Sequence, residues 1–144
     1  MSRVNIQKSQ PDAYKAMFAL EEYLASSTIT KDLQELVRIR ASVINGCHFC
    51  IGLHSSAAKK IGISAEKVTA LANWHNSDLF SKKEKIALKF TDGLTNVSSV
   101  GVTNDVYQAA EQCFSTDEIA QLIMLIATIN AWNRLGVAMS DNSI

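Results

Sequence analysis

The sequence predicts an all-α, single-domain protein, and three observations lead there. Apolar residues recur at three- and four-residue spacing, Ser and Thr capping signals stand ahead of those runs, and no stretch sustains the alternation of a strand. The one proline, Pro11, lies near the start, so the rest of the 144-residue chain carries no such helix breaker.

Residues 1–10 read as an N-terminal arm. Pro11 suits the first position of a helix, where its missing N–H costs nothing, and Ala13, Met17, Leu20 and Leu24 carry the spacing to about Ser26. Thr30 caps a second helix with Leu33, Leu36, Val37, Val43 and Ile44 on one stripe. Asn45-Gly46 ends it and releases a third, which begins at or just before Cys47 and stops at Gly62. Ser64 caps a short fourth helix. Ser81 and Glu84 form a capping box for a fifth, carrying Ile86, Ala87, Phe90 and Leu94. Thr103 caps a sixth around Val106 and Ala110. Ser115 and Glu118 form a second capping box, opening a long last helix to about Met139. The expected total is six to seven helices. The last one is apolar nearly all round from Ile119 to Trp132, so it must be covered on several sides, in the monomer core, at a subunit interface, or both. Met124 and Trp132 read there as packing residues.

Composition narrows the function. Fourteen basic residues balance fourteen acidic ones with no basic run, which argues against capture of nucleic acid or an anionic membrane. The first residues carry no apolar signal-peptide core, and the apolar run from Ile119 to Ile129 is too short to span a bilayer. Three cysteines do not build a secreted disulfide framework, so the expected location is cytoplasmic.

The chemistry concentrates in Cys47-His48-Phe49-Cys50, followed by His54 and preceded by Glu35. On a helix, Cys47, Cys50 and His54 fall within an arc of about 60°, while His48 points roughly 100° away from Cys47. Three readings compete. In the first, the helix N-terminus stabilises a thiolate, His54 moves a proton near neutral pH, and Glu35 orients its imidazole or accepts the proton behind it. In the second, Cys47, Cys50 and His54 with Glu35 or His48 hold zinc, although the remaining His75 and Cys113 lack the paired spacing of structural zinc sites. In the third, two small residues happen to be buried on one helix, which explains neither His54 nor Glu35. A thioredoxin-type domain is excluded, because it needs alternating strands and helices and a cis-proline facing the dithiol.

These residues resemble a known family, the AhpD-like alkylhydroperoxidases of the carboxymuconolactone decarboxylase superfamily. Its signature, Glu, eleven residues, Cys-x-x-Cys, three residues, His, is met by Glu35, Cys47, Cys50 and His54. Leu36 to Gly46, Trp74 to Ser81 and Ile129 to Arg134 also look like the family, so the resemblance runs from about Tyr14 onward. Some members carry a histidine immediately before the second cysteine, where this chain has Phe49, with His48 one step earlier.

The resemblance implies an all-helical homo-trimer or homo-hexamer that reduces hydroperoxides through a Cys47–Cys50 dithiol, with a Glu35–His54 proton relay and an external dithiol donor. No cofactor is expected, the metal reading being disfavoured by the lack of a second paired ligand set. The superfamily's decarboxylase branch does not rely on a CxxC, so decarboxylation is the poorer expectation. A redox-sensing or metal-binding oligomer without turnover is the rival.

Outside that cluster, Glu35 alone would read as a solvated helix residue paired with Lys31 or Arg38. Arg40 projects from an apolar stripe and needs a partner, either a structural carboxylate or a substrate anion. Cys113 reads as a small buried residue, and His75 as solvated in a polar loop.

Overall fold

The computed structural model describes residues 3–141 as helices joined by short turns, with no strand among them. Eight α-helices follow in order: α1 (Ile6–Ser9), α2 (Pro11–Ala25), α3 (Lys31–Asn45), α4 (His48–Lys60), α5 (Ala65–Ala70), α6 (Lys82–Thr95), α7 (Asn104–Cys113) and α8 (Thr116–Met139). A 3-10 segment, Leu71–Asn76, follows α5 directly. The expected count of six to seven is therefore low by the short α1, which lies inside the expected arm. Four residues are too few to show periodicity, and α1 rests on a local cap, the Asn5 side chain accepting from the Lys8 N–H at 3.0 Å.

The other starts lie where the capping residues stand. Thr30 and Ser64 accept first-turn N–H groups of α3 and α5. Ser81–Glu84 and Ser115–Glu118 both close reciprocal capping boxes. Burial pushes the Glu84 carboxyl up, but the hydrogen bond and charge of Lys67, with the Ser81 contacts, outweigh it and leave the group below its ordinary value. Thr103 stands at the N-cap of α7 but makes no side-chain cap hydrogen bond.

α3 runs between two cores, which is why it is buried on more than one face. One core gathers Leu33 and Val37 with Leu24, Phe90, Phe114, Leu122, Leu125 and Ile126 from α2, α6, α8 and the start of the α7–α8 turn. The other packs Leu36 and Ile39 against Ala58, Leu71, Trp74, Phe80 and Leu88. α8 has the length and mean hydropathy, 1.4 over its best window, of a membrane-crossing helix. It is the wall of the first core, packed on α2, α3, α4, α6 and α7. Its expected apolar run also continues into polar anchors. Asn133, fully buried, donates to the Ser42 hydroxyl at 2.9 Å, and Asn45 donates to Asn130 and Asn133 at 2.9 and 3.0 Å. These bonds tie the end of α3 to α8, the two elements that frame the start of α4.

Trp132 is half-buried and part of an aromatic cluster with Tyr14 and Phe18, while Met124 is 37% exposed and so packs less than its spacing suggests.

One close approach fixes the α6 end of the fold. A Cβ on Gly93 would collide with the Gly101 carbonyl oxygen, and the Gly101 N–H donates to the Gly93 carbonyl at 3.1 Å. Backbone cannot yield as a side-chain tip does, so Gly93→Ala is expected to cost at least about 2 kcal/mol, despite alanine's better helix propensity. Urea unfolding measures it; a neutral or stabilising effect would contradict the close packing.

Candidate active site

The site forms where α3 turns back into α4. Gly46 caps α3 in the left-handed region (φ 67°), which lets the Cys47 N–H reach the Ser42 carbonyl at 3.1 Å and starts α4 one residue later. Cys47 is thus the N-cap of α4 rather than a residue of its first turn, and its sulfur accepts the Cys50 N–H at 3.3 Å. Cys47 and Cys50 are joined as a disulfide, and both are buried, at 2% and 5% exposure. Cys113 is a free, half-buried cysteine.

His54 follows Cys50 by one turn of α4, on the same helix face. Its Nδ1 lies 2.9 Å from Glu35 Oε2, across the α3–α4 contact. With the carboxylate accepting a hydrogen bond from Nδ1–H, Nε2 is left as the nitrogen that can accept or return a proton. The second Glu35 oxygen accepts from Arg38 Nη1 at 3.1 Å. The two readings of Glu35, ion pair with Arg38 and partner of His54, therefore hold together, one oxygen for each. Lys31 makes no bond to it.

The structure gathers Cys47, Cys50, His54 and Glu35 and leaves His48 and Arg40, the other residues that could assist the chemistry, outside. His48 is exposed at the first position of α4 and bonds neither His54 nor Glu35. Arg40 has its structural carboxylate: Nε and Nη2 reach Asp92 at 2.7 and 3.1 Å, and Nη1 donates to the Leu71 and Ala72 carbonyls. Trp74 Nε1 also donates to Asp92, at 3.2 Å. With its donors so occupied, Arg40 ties α3 to α6 and the 3-10 segment, and the substrate-anion alternative loses its free guanidinium. His75 lies in that segment rather than a loop; its side chain is 56% exposed and stacks on Trp74.

Sequence reasoning missed Gly136. A Cβ there would stand 2.7 Å from Cys47 Sγ and 3.4 Å from Cys50 Sγ, so α8 presses bare backbone onto the disulfide. A glycine inside a long apolar helix costs up to about 1 kcal/mol, and that cost was the available signal. Gly136→Ala is expected to destabilise the oxidised protein by about 1–3 kcal/mol. Gly52→Ala, an exposed position in α4 with nothing within 4 Å, is expected to stabilise it by about 0.5–1 kcal/mol. Denaturant unfolding of the two variants checks the contrast; equal signs would remove the packing argument.

This geometry can be set beside known proteins. Residues 11–93 match the carboxymuconolactone decarboxylase family. The chain belongs to that family. It is similar to YdfG of Bacillus subtilis, an uncharacterised protein 33% identical over 141 residues, spanning 98% of this chain and 96% of the relative. Among solved structures, a protein of unknown function from Agrobacterium tumefaciens, a candidate antioxidant defence protein AhpD, superposes with a TM-score of 0.94 at 31% identity, over 100% of this chain and 99% of that one. The AhpD-like fold expected from the motif is thereby shown. The debrominase Bmp8 shares the fold at a TM-score of 0.83 and 23% identity, over 96% of this chain and 74% of its own. A carboxymuconolactone decarboxylase-family fold thus accommodates more than one chemistry, and activity must be argued from the site.

Proposed function

We propose that this protein is a thiol-dependent peroxidase or disulfide reductase of AhpD-like type. The observation that carries the reading is the buried Cys47–Cys50 pair, one turn from a histidine whose Nδ1 is held by a carboxylate at 2.9 Å. The cycle starts from the dithiol. The Cys50 thiolate attacks the terminal oxygen of a hydroperoxide; the O–O bond breaks, leaving Cys50 as a sulfenic acid and releasing an alkoxide that takes a proton to become the alcohol. The Cys47 thiol then displaces water from the sulfenic acid, giving the disulfide. An external dithiol reduces that disulfide by two successive exchanges and is itself oxidised. His54 takes the Cys50 proton through Nε2 and returns one to the leaving oxygen, with Glu35 holding the imidazole in the tautomer that step needs.

The fold supplies the conditions. Burial keeps bulk water from the reacting sulfurs, and the α4 N-terminus presents N–H groups to negative charge at sulfur. Phe49 and Leu53, 76% and 54% exposed, lie one turn apart on the outer side of α4. That apolar strip, with the exposed Phe18 of α2, supports assembly with further copies of this chain, as the homo-trimer or homo-hexamer that the family resemblance implies. Saturable consumption of an organic hydroperoxide by the reduced protein, with turnover sustained by a dithiol donor, tests the activity; disulfide formation without turnover would leave a redox sensor instead. Light scattering at micromolar concentration is expected to give the mass of three or six chains, and monomer alone would contradict the assembly.

A further inference from the structure

A line of charged and polar groups continues behind Glu35, away from the sulfurs. Arg38 Nη1 donates to Glu35 Oε1 and Arg38 Nη2 to Glu21 Oε2, each at 3.1 Å. Glu21 Oε1 accepts in turn from Trp132 Nε1 at 2.9 Å. The groups come from four helices: Trp132 on α8, Glu21 on α2, Arg38 and Glu35 on α3, His54 on α4. The Arg38 side chain is only 9% exposed, and those of Glu35 and Glu21 are 13% and 31% exposed. A guanidinium so placed is held by two carboxylates, one on each arm of its planar fork.

The surroundings make that grip matter. Glu21, Glu35 and Arg38 line a cavity of about 270 Å³ with Gln34, Ala57 and Ile61. Side chains therefore do not close around Glu35 on that side. What holds it is the pair of bonds it makes, one to Arg38 and one to His54.

We infer that Arg38 is the positioning residue of the Glu35–His54 pair: it pins one oxygen of Glu35 so that the other meets Nδ1, and is itself aimed by Glu21, which Trp132 holds. The inference rests on the proposed use of His54 as the base for Cys50. Lysine cannot replace arginine here, because a single ammonium lacks the rigid fork that spans both carboxylates. Arg38 touches neither sulfur nor substrate; it acts through Glu35.

The test uses readouts that need no peroxide turnover. In the reduced Cys47→Ser/Cys113→Ser background, the ¹⁵N shifts of His54 report which ring nitrogen carries the proton, and iodoacetamide alkylation against pH reports Cys50. The unaltered pair is expected to show the Nδ1–H tautomer. Arg38→Met is expected to weaken that preference and slow Cys50 alkylation near neutral pH by about tenfold, within the range of acid–base contributions. Arg38→Lys is expected to recover only part of the loss. In a Glu35→Gln background, Arg38→Met is expected to add less than twofold, since the two act as one unit. Glu21→Gln, which cuts only the outer arm, gives a milder shift in the same direction and serves if Arg38→Met does not fold. Unchanged His54 shifts in Arg38→Met and Glu21→Gln, or an Arg38 effect of full size without Glu35, would overturn the inference. Absent peroxide turnover with the tautomer response intact would sink the peroxidase reading and leave Arg38 its role.

Discussion

Cys50→Ser is expected to abolish turnover with both hydroperoxide and external dithiol, while Cys47→Ser is expected to react once and stop. The asymmetry follows from position. Cys50 precedes His54 by one turn of α4, so its proton has a nearby acceptor, whereas Cys47 sits at the N-cap with its sulfur turned to the Cys50 N–H. Without Cys50 no group faces both peroxide and base, and the rate should fall to that of the uncatalysed reaction. Without Cys47 the first oxidation still proceeds, but the sulfenic acid has no resolving thiol and accumulates. Stopped-flow peroxide consumption, with a sulfenic-acid trap and peptide mapping, reads both variants. The trap should label Cys50 in Cys47→Ser to about one equivalent. In the unaltered protein, mapping should recover the Cys47–Cys50 bridge with Cys113 reduced. Trapping on Cys47 in Cys50→Ser, with undiminished rate, would move the attack to the N-cap sulfur, where the Cys50 N–H then supplies the stabilisation.

How much of this was legible in the sequence depends on the range of the interaction involved. Local signals carried well. Pro11 at the first position of α2, Gly46 after α3 and the boxes at Ser81 and Ser115 each act within four residues, so spacing alone locates them. The Cys47, Cys50, His54 and Glu35 grouping was readable for a similar reason: Cys50 and His54 share α4, Cys47 is its N-cap, and Glu35 lies on the helix that a single turn folds back.

Contacts between distant elements were not readable. Arg40 announced only that it needed a partner; Asp92, fifty-two positions on, is set by how α6 packs on α3. Arg38 looked like an ordinary i, i+3 partner of Glu35, because Glu21 and Trp132 reach it only through the packing of α2 and α8. Gly136 stood out only as a glycine inside a long apolar helix; the sulfurs that need its missing side chain are brought to it by the packing of α8. Local chemistry thus gave the reacting groups, and tertiary packing gave the groups that hold them.

The relay yields the second large effect. His54→Gln removes the group that accepts the Cys50 proton, and is expected to slow thiol attack at neutral pH by about 10²-fold. It should also move the alkylation midpoint of Cys50 upward, because the thiolate loses its nearby proton acceptor. Glu35→Gln leaves the imidazole in place but replaces a charged acceptor at Nδ1 with a neutral amide, so about tenfold is expected, with a smaller move in the same direction. The double variant is expected to match His54→Gln within about twofold: once the imidazole is gone, the carboxylate has nothing to orient, and residues that act as a unit are non-additive. Iodoacetamide alkylation of Cys50 across pH 5–10, with Cys47 and Cys113 replaced by serine, measures all three. Additive losses would mean that Glu35 acts on the sulfur directly, through its charge. Unchanged profiles in both single variants would remove the relay and leave a buried dithiol whose reactivity comes from the α4 N-terminus alone.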